Sequence, residues 1–328
     1  MTEKKTTMGP EWMDREHSNW GRWGKDDQVG LLNEVTPQLI GKAFSLIKKN
    51  KVYDLEAPRF KGMDVWPGHS GWDILPYASP HGRQNMKKSE YAPAYNWYAK
   101  GGWLEPDGNK YNTGLNSETI IGPLHVGTHI DSLSHITGGE DNHWYNGYNC
   151  AENWGDYGPL KADASNIPPI ILPGVLLDLP GCAGVDHLQP HQPVNPEDID
   201  ACCKWAGVSV EKGDCVLLRT GMVWPEMKQC PNCGPTLETI RYLVEEKGAF
   251  LIGDDQTAFE HFTPTGSSFP GHAHPCHHYL LIQQGVHIME MVMTNELARD
   301  KAYRFCFITL PTRIRGATGM MIRPIAVI

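Results

Sequence analysis

The 328-residue sequence has no long apolar run and no excess of basic residues. Its most apolar stretch, residues 167–179, is interrupted by three prolines and is far shorter than the ~20 apolar residues that a membrane-spanning helix needs. There are 29 Lys and Arg residues against 38 Asp and Glu residues, which gives a net charge of −9. This balance disfavours a nucleic acid or an anionic membrane as partner. We therefore expect a small-molecule partner.

The cysteines do not form an even set. There are nine, between Cys150 and Cys306, which we interpret as reduced thiols of a cytoplasmic protein. The first 17 residues have no apolar core, so the sequence predicts no signal peptide. The Cys230-Pro-Asn-Cys233 pair lacks a second ligand pair at a suitable spacing. We interpret it as a loop with free thiols rather than as a zinc site.

Several common catalytic motifs are also missing. The sequence has no G-x-S-x-G nucleophile elbow, no G-x-G-x-x-G loop and no Walker loop. Cys276 lies beside two histidines, but a neighbour in sequence need not be a catalytic partner in space. None of these patterns therefore indicates a nucleophilic serine, a catalytic thiol or a bound nucleotide.

The pattern of elements predicts the fold class. The composition, 40% hydrophobic and 20% charged, is that of an ordinary globular protein. Helix starts are predicted at Thr36-Pro37, Asn195-Pro196, Thr236 and His278. Apolar runs predict strands at residues 175–179, 214–219, 249–253, 286–290 and 303–310. Short helices lying between strands predict a mixed α/β (α+β) domain, with mixed sheets and short flanking helices.

Two regions stand outside this pattern. Residues 1–35 are polar and contain Trp12, Trp20 and Trp23, so we expect an arm that packs on something, such as a second subunit. A loosely ordered tail is the alternative. The remaining domain, residues 36–328, has a loop-rich insertion at about 55–115. Its tryptophans are candidates for an aromatic wall around a flat substrate ring, although ordinary packing is the commoner role; they are Trp66, Trp72, Trp97 and Trp103.

One eleven-residue segment, HVGTHIDSLSH at residues 125–135, carries four side chains that bind metals or protons. Imidazole nitrogens and a carboxylate, with no thiolate, suit Zn, Mn or Fe. On a flat strand His125 and Asp131 would lie about 20 Å apart, and a helix would turn Asp131 away from the histidines. A shared cation therefore requires a sharp turn, for which Gly127 supplies the freedom. The alternative is a strand and loop with hydrogen-bonded histidines, because the chain has 15 of them.

This segment resembles the H-x-G-T-H-x-D-x-x-x-H signature of the cyclase family of metal-dependent hydrolases. That family includes bacterial kynurenine formamidase and isatin hydrolase. The resemblance runs along most of the chain, and it implies a swivelling β/β/α-like fold. Further segments similar to those of the family's longer members lie at residues 19–37, 174–180, 212–221, 251–256 and 278–290.

The resemblance implies a role for each matching residue. His125, His129 and Asp131 would be metal ligands, with Asp131 bridging both ions in two-metal members. His278 and Glu290, twelve residues apart, would complete a second site. A slip of one residue to His277 stays open, and His272 and His274 are also close in sequence. The implied cofactor is Zn²⁺ or Mn²⁺, one or two ions, and the implied assembly is a homodimer or homotetramer with exchange of the N-terminal arm.

The expected activity is hydrolysis of an amide, lactam or lactone bond in a small cyclic or N-acyl substrate. A hydroxide formed from water on the cation would attack the carbonyl. His135 would be the general acid and base, for which an unperturbed pKa near 6.5 is suitable. Leu133 replaces the proline that is usual in kynurenine formamidases, and this chain is longer, which puts kynurenine as substrate in doubt. The alternatives are a lyase or isomerase on the same ligands and a non-enzymatic metal-binding protein.

Further substrate contacts are predicted from charge and position. Arg219 and Asp255 follow predicted strands and are candidate substrate-binding residues, together with Trp72 and Trp97. Arg219 has an alternative as a structural partner of Asp214 or Asp254. The alternative role of Asp255 is to cap the next turn.

Overall fold

The computed structural model describes residues 18–79, 81, 111, 115–269 and 271–328. The chain divides into two compact units. One comprises residues 1–58 and 124–328, and the other comprises residues 59–123.

The larger unit contains a nine-stranded mixed sheet. Its strands are, in chain order, β1 (Val52–Asp54), β2 (His129–Asp131), β3 (Ile170–Asp178), β4 (Cys215–Arg219), β5 (Leu251–Asp254), β6 (Ile288–Glu290), β7 (Arg304–Thr309), β8 (Gly319–Met321) and β9 (Ile325–Val327). Along the sheet they follow the order β1-β9-β7-β3-β4-β5-β6-β2-β8. The neighbours from β3 to β6 run parallel, and the remaining neighbours run antiparallel.

Helices are short throughout the described residues, and none is long and apolar enough to cross a membrane. They are α1 (Pro37–Ser45), α2 (Cys150–Asn153), α3 (Leu179–Ala183), α4 (Pro196–Ala206), α5 (Leu237–Arg241), α6 (Pro275–His277) and α7 (Asn295–Arg299), with 3₁₀ turns at Gly30–Glu34, Tyr145–Gly147 and Ala164–Asn166. Helices α5 and α6 continue as π-helical segments, Tyr242–Glu246 and His278–Gln284. The mixed α/β class is confirmed.

Local signals account for where the helices begin. The Thr36 side chain accepts a hydrogen bond from Leu39 N, and Pro37 occupies the first turn of α1, which confirms the predicted start. Helix α4 begins with a capping box between Asn195 and Asp198. It ends at Gly207, whose φ of 67° is left-handed.

The core lies around the parallel strands. Residues of β3, β4 and β5 are almost all buried, which is typical of parallel strands covered on both faces. Helices α1 and α4 pack against β3. The buried parallel strands therefore support β6 and β2, which are the next strands towards one edge of the sheet.

Residues 18–34 pack on their own chain. Asn19 N donates to Gln283 O at 3.0 Å, and Trp20 Nε1 donates to Ile282 O at 2.5 Å. Both acceptors belong to the π-helical segment that follows α6. The predicted exchange of the arm between subunits stays a prediction, and residues 1–17 with Trp12 lie outside the described residues.

The smaller unit contains an antiparallel pair, Asp73–Ala78 with Ser117–Ile121. Trp72 is buried within this unit and packs closely on Gly122. Trp97 and Trp103 lie outside the described residues. The predicted limits of the insertion, about 55–115, stay a prediction.

Substitution of two glycines by alanine is expected to change the stability of the fold in opposite directions. A Cβ at Gly174 in β3 would lie 2.2 Å from Cε2 of the buried Phe305, whereas a Cβ at the exposed Gly41 in α1 would meet no atom within 4 Å. Gly174→Ala should lower the free energy of unfolding by roughly 1–3 kcal/mol through overpacking. Gly41→Ala should raise it by roughly 0.5–1 kcal/mol, because alanine favours the helix. Urea unfolding followed by circular dichroism measures both; equal midpoints for the two variants would contradict the packing described.

Candidate metal centre

A turn at Gly127 brings His125 back to Asp131. Gly127 has a φ of 56°, in the left-handed region that favours glycine. His125 Nδ1 lies 2.8 Å from Asp131 Oδ1, where an extended strand would separate the two residues by about 20 Å. The chain therefore has the reversal that a shared cation requires.

Strand β2 carries His129 and Asp131 between β6 and β8. In the ladder His129 is opposite Glu290, and Asp131 is opposite Gly319. A Cβ at Gly319 would lie 2.2 Å from His125 Cε1, so the glycine makes room for that ring. The pairing thus places two carboxylates and two imidazoles next to one another.

His277 completes the cluster from helix α6. Its Nε2 lies 3.2 Å from Glu290 Oε1 and 3.7 Å from Asp131 Oδ2. His129 Nε2 lies 3.3 Å from Glu290 Oε2 and 3.7 Å from Asp131 Oδ1. Two groups of possible ligands share Asp131, each with its ligand atoms within 4.8 Å of one another: His125, His129 and Asp131, and Asp131, His277 and Glu290.

In the structure His277, and not His278, lies beside Asp131 and Glu290, so the distal position predicted for His278 fits His277 instead. The His278 ring lies edge-on to His272, with 5.1 Å between the ring centroids, and its Nε2 lies 2.7 Å from where a Cβ on Gly138 would be. Adjacent residues on a helix differ in direction by ~100°, so only one of the two histidines can face Glu290. A π-helical turn holds one residue more than an α-helical turn, which accommodates the spacing of thirteen residues from His277 to Glu290.

Hydrogen bonds fix which nitrogen of each histidine faces the carboxylates. His129 Nδ1 lies 2.8 Å from Gly127 O, and a carbonyl can only accept, so Nδ1 carries the proton. His277 Nδ1 lies 2.6 Å from Oε1 of the buried Glu260, which also accepts from His277 N at 2.8 Å. In each neutral ring Nε2 therefore presents a lone pair.

These lone pairs face buried negative oxygens, so a positive charge is required between them. Burial alone would lower the pKa values of His129 and His277, but the adjacent carboxylates outweigh it and raise both. Burial would raise the pKa of Asp131, but the surrounding histidines lower it. Asp131 Oδ2 is buried without a hydrogen-bond partner. Fixed imidazole nitrogens and an unpaired carboxylate oxygen fit a divalent cation.

His135 lies at the margin of the cluster. Its ring is half-buried and stacks on His125 with 3.9 Å between the ring centroids. Burial is the main cause that lowers the pKa of His135 to about 3, well below the unperturbed value expected from sequence. The ring is therefore neutral at neutral pH, with one nitrogen able to accept a proton.

The structure gives the other predicted site residues structural contacts. Arg219 Nη1 donates to Asp178 Oδ1 at 2.7 Å and Nε donates to Asn295 Oδ1 at 3.1 Å, so its partner is neither Asp214 nor Asp254. Asp255 accepts from the backbone N–H groups of residues 220–222. Trp72 belongs to the smaller unit, and Trp97 lies outside the described residues. The substrate contacts of these four residues stay predictions.

Sequence reasoning missed Glu260. It lies in the loop after β5 and has no spacing relation to the signature segment, because its contact with His277 depends on the tertiary fold. His274 Nδ1 lies 3.8 Å from Glu260 Oε1 and forms a third group of possible ligands with Glu260 and His277. His277 contributes through Nδ1 to that contact and through Nε2 to the main cluster.

Comparison with known proteins identifies the family of the chain. The family model described as "Putative cyclase" matches residues 53–261, which is more than half of the chain. The chain belongs to the cyclase family. A crystal structure of a novel cyclase is similar to this cyclase-family chain at 26% identity, covers 95% of this chain and 99% of that chain, and superposes with a TM-score of 0.76.

Two more distant structures share the cyclase fold. Isatin hydrolase A from Labrenzia aggregata, bound to benzyl benzoate, is 20% identical over 88% of this chain and 97% of that chain, with a TM-score of 0.54. Isatin hydrolase A from Ralstonia solanacearum is 16% identical over 87% and 94%, with a TM-score of 0.55. No curated protein matched the chain. The predicted family and fold are thus confirmed.

The last residue of α6 and the first residue of the π-helical segment are adjacent histidines, which allow a matched test of the centre. His277→Gln should weaken Mn²⁺ binding by at least ~10-fold, because it removes an imidazole that faces Asp131 and Glu290. His278→Gln should retain the wild-type affinity, because its ring is on another face of the helix. Isothermal titration of the two metal-stripped variants measures this, with circular dichroism as the check on folding. The reverse order of affinities would return the ligand role to His278.

Proposed function

We propose that this cyclase-family chain is a divalent-metal-dependent hydrolase that opens a carbonyl–nitrogen or carbonyl–oxygen bond of a small substrate. The observation that carries the proposal is the pair of fixed imidazole Nε2 atoms, of His129 and His277, directed at two buried carboxylates. An ordinary hydrogen-bonded histidine cluster would pair each carboxylate oxygen with a donor, and Asp131 Oδ2 has none.

The cluster has ligands for one or two ions. His125, His129 and Asp131 would hold one, and Asp131, His277 and Glu290 would hold the other. Nitrogen and oxygen donors suit Zn²⁺ and Mn²⁺ about equally, so we keep both. When bound, such a cation polarises a carbonyl and lowers the pKa of water. The four buried residues of the cluster exclude bulk water and hold the ligand atoms in place.

His135 would transfer the proton. Because burial keeps its ring neutral, a ring nitrogen can accept a proton from the attacking water. The same ring would then return the proton to the leaving nitrogen or oxygen. Stacking on His125 holds the ring beside the proposed ligands throughout.

The family supports only a broad class of substrate. Two solved proteins of this fold are named isatin hydrolases, which supports hydrolysis at a carbonyl as the reaction of this chain. We propose a small cyclic or N-acyl compound, such as a lactam, an imide, a lactone or a formamide.

Metal removal tests the proposed function. Stripping the protein with a chelator should abolish turnover of a panel of lactones, lactams and arylformamides, and Zn²⁺ or Mn²⁺ should restore it. In ¹⁸O-labelled water the product should gain one labelled oxygen, because hydrolysis incorporates water. Metal-dependent turnover without the label would support a lyase or isomerase instead. Full activity in the stripped protein would refute metal dependence.

Substitution of His135 separates proton transfer from metal binding. His135→Ala should bind the metal as the wild type does but lose ~10²-fold or more in kcat, because only proton transfer is removed. Asp131→Ala should lose the metal itself. Metal content and steady-state kinetics of the two variants measure the difference. A fully active His135→Ala protein would remove His135 from the mechanism.

A further inference from the structure

The Cys230-Pro-Asn-Cys233 segment folds into a tight turn that brings its two thiols together. Pro231 and Asn232 are the two central residues of the turn, and Asn232 has a φ of 62°. Proline followed by a residue with positive φ is the pattern of a type II turn, whose first and last Cα atoms lie within ~7 Å. That separation is in the range of disulfide-bonded cysteines.

The thiols themselves are in contact with common partners. Gln256 Nε2 lies 3.1 Å from Cys233 Sγ and 3.6 Å from Cys230 Sγ. The Cys230 thiol also lies 3.5 Å from Thr220 Oγ1. Both cysteines are fully buried, whereas Pro231 and Asn232 are exposed, so the pair lies directly beneath a surface turn.

We propose that Cys230 and Cys233 form a redox-active dithiol that hydroperoxides oxidise to an intramolecular disulfide. Cys230 is the attacking residue, and Cys233 is the resolving residue. The Cys230 sulfur attacks the outer oxygen of the hydroperoxide, the O–O bond breaks, and a sulfenic acid and an alcohol (water, from hydrogen peroxide) form. The Cys233 sulfur then attacks the sulfenic sulfur, the S–S bond forms, and water leaves. The cysteines lose two electrons and the hydroperoxide gains two.

The environment distinguishes the two thiols. A hydrogen bond from Cys233 lowers the pKa of Cys230 to about 7; burial opposes this shift and Thr220 assists it. The pKa of Cys233 is raised by the same hydrogen bond and by burial. A thiolate is the nucleophilic form of cysteine, so Cys230 reacts first.

A second pair supplies an internal control. Cys182 and Cys202 are also hydrogen-bonded to each other, but burial raises the pKa of both thiols. They lie on separate helices, α3 and α4, and no tight turn joins them. We expect this pair to stay reduced under conditions that oxidise Cys230 and Cys233.

Trypsin separates the two pairs. Cleavage after Lys228 and Arg241 gives a peptide with Cys230 and Cys233 as its only cysteines, and residues 162–204 form a peptide with Cys182, Cys202 and Cys203. The intact, folded protein is treated with stoichiometric hydrogen peroxide, then unfolded in denaturant so that every free thiol is accessible, alkylated with iodoacetamide, digested and weighed by mass spectrometry. Peptide 229–241 should lose the mass of two hydrogens and resist alkylation, and dithiothreitol should reverse both effects. Peptide 162–204 should be fully alkylated.

Variants test the order of the two steps. Cys233→Ser should accumulate a sulfenic acid at Cys230, detected as a dimedone adduct, because the resolving thiol is absent. Cys230→Ser should give little adduct at Cys233. The proposal is overturned if peptide 229–241 of the wild-type protein is fully alkylated after peroxide treatment, or if peptide 162–204 is oxidised at the same rate. Because this result comes from the unmodified sequence, it does not depend on whether the variants fold.

Discussion

Two imidazole lone pairs directed at two buried carboxylates are the constraint on which the rest of this structure depends. A neutral His129 or His277 in that position repels Glu290 and Asp131, and burial prevents water from screening the repulsion. The cluster is stable only with added positive charge, as protons on the rings or as a cation. Protons satisfy the charge, but they leave Asp131 Oδ2 without a donor. Divalent cations held by the two groups of possible ligands that share Asp131 would satisfy the carboxylates and the lone pairs together.

Two features of the fold fix this arrangement: the buried parallel strands support the ligands, and two glycines let the backbone come close to the His125 ring. The parallel strands β3 to β6 form a buried centre, and β2 pairs onto it so that His129 and Glu290 are direct neighbours. Gly127 permits the reversal that returns His125, and Gly319 leaves space for its ring. Any side chain at Gly319 would displace His125 from Asp131. These glycines are therefore part of the site although they provide no ligand atom.

The sequence predicted those parts of the site that depend on local structure. The helix starts at Thr36 and Asn195 follow from side chains a few residues away, and the turn at Gly127 follows from the need to bring His125 and Asp131 together. The choice between His277 and His278 could not be predicted from the sequence, because it depends on the rotation of one helix and on a π-helical segment. Glu260 could not be predicted either, since its contact with His277 joins the loop after β5 to helix α6.

The contacts beyond the ligands explain how such a cluster can exist before a cation arrives. Glu260 and the Gly127 carbonyl each hold one imidazole by Nδ1, so the rings cannot turn away from the carboxylates to relieve the repulsion. Packing of the surrounding core offsets the free energy that this repulsion costs. A cation that binds only the folded chain releases this cost, and its binding therefore adds to the stability of the fold. Function and stability would thus be linked at this centre, because the hydrogen bonds that orient His129 and His277 for a cation are also the ones that hold their lone pairs against the two carboxylates.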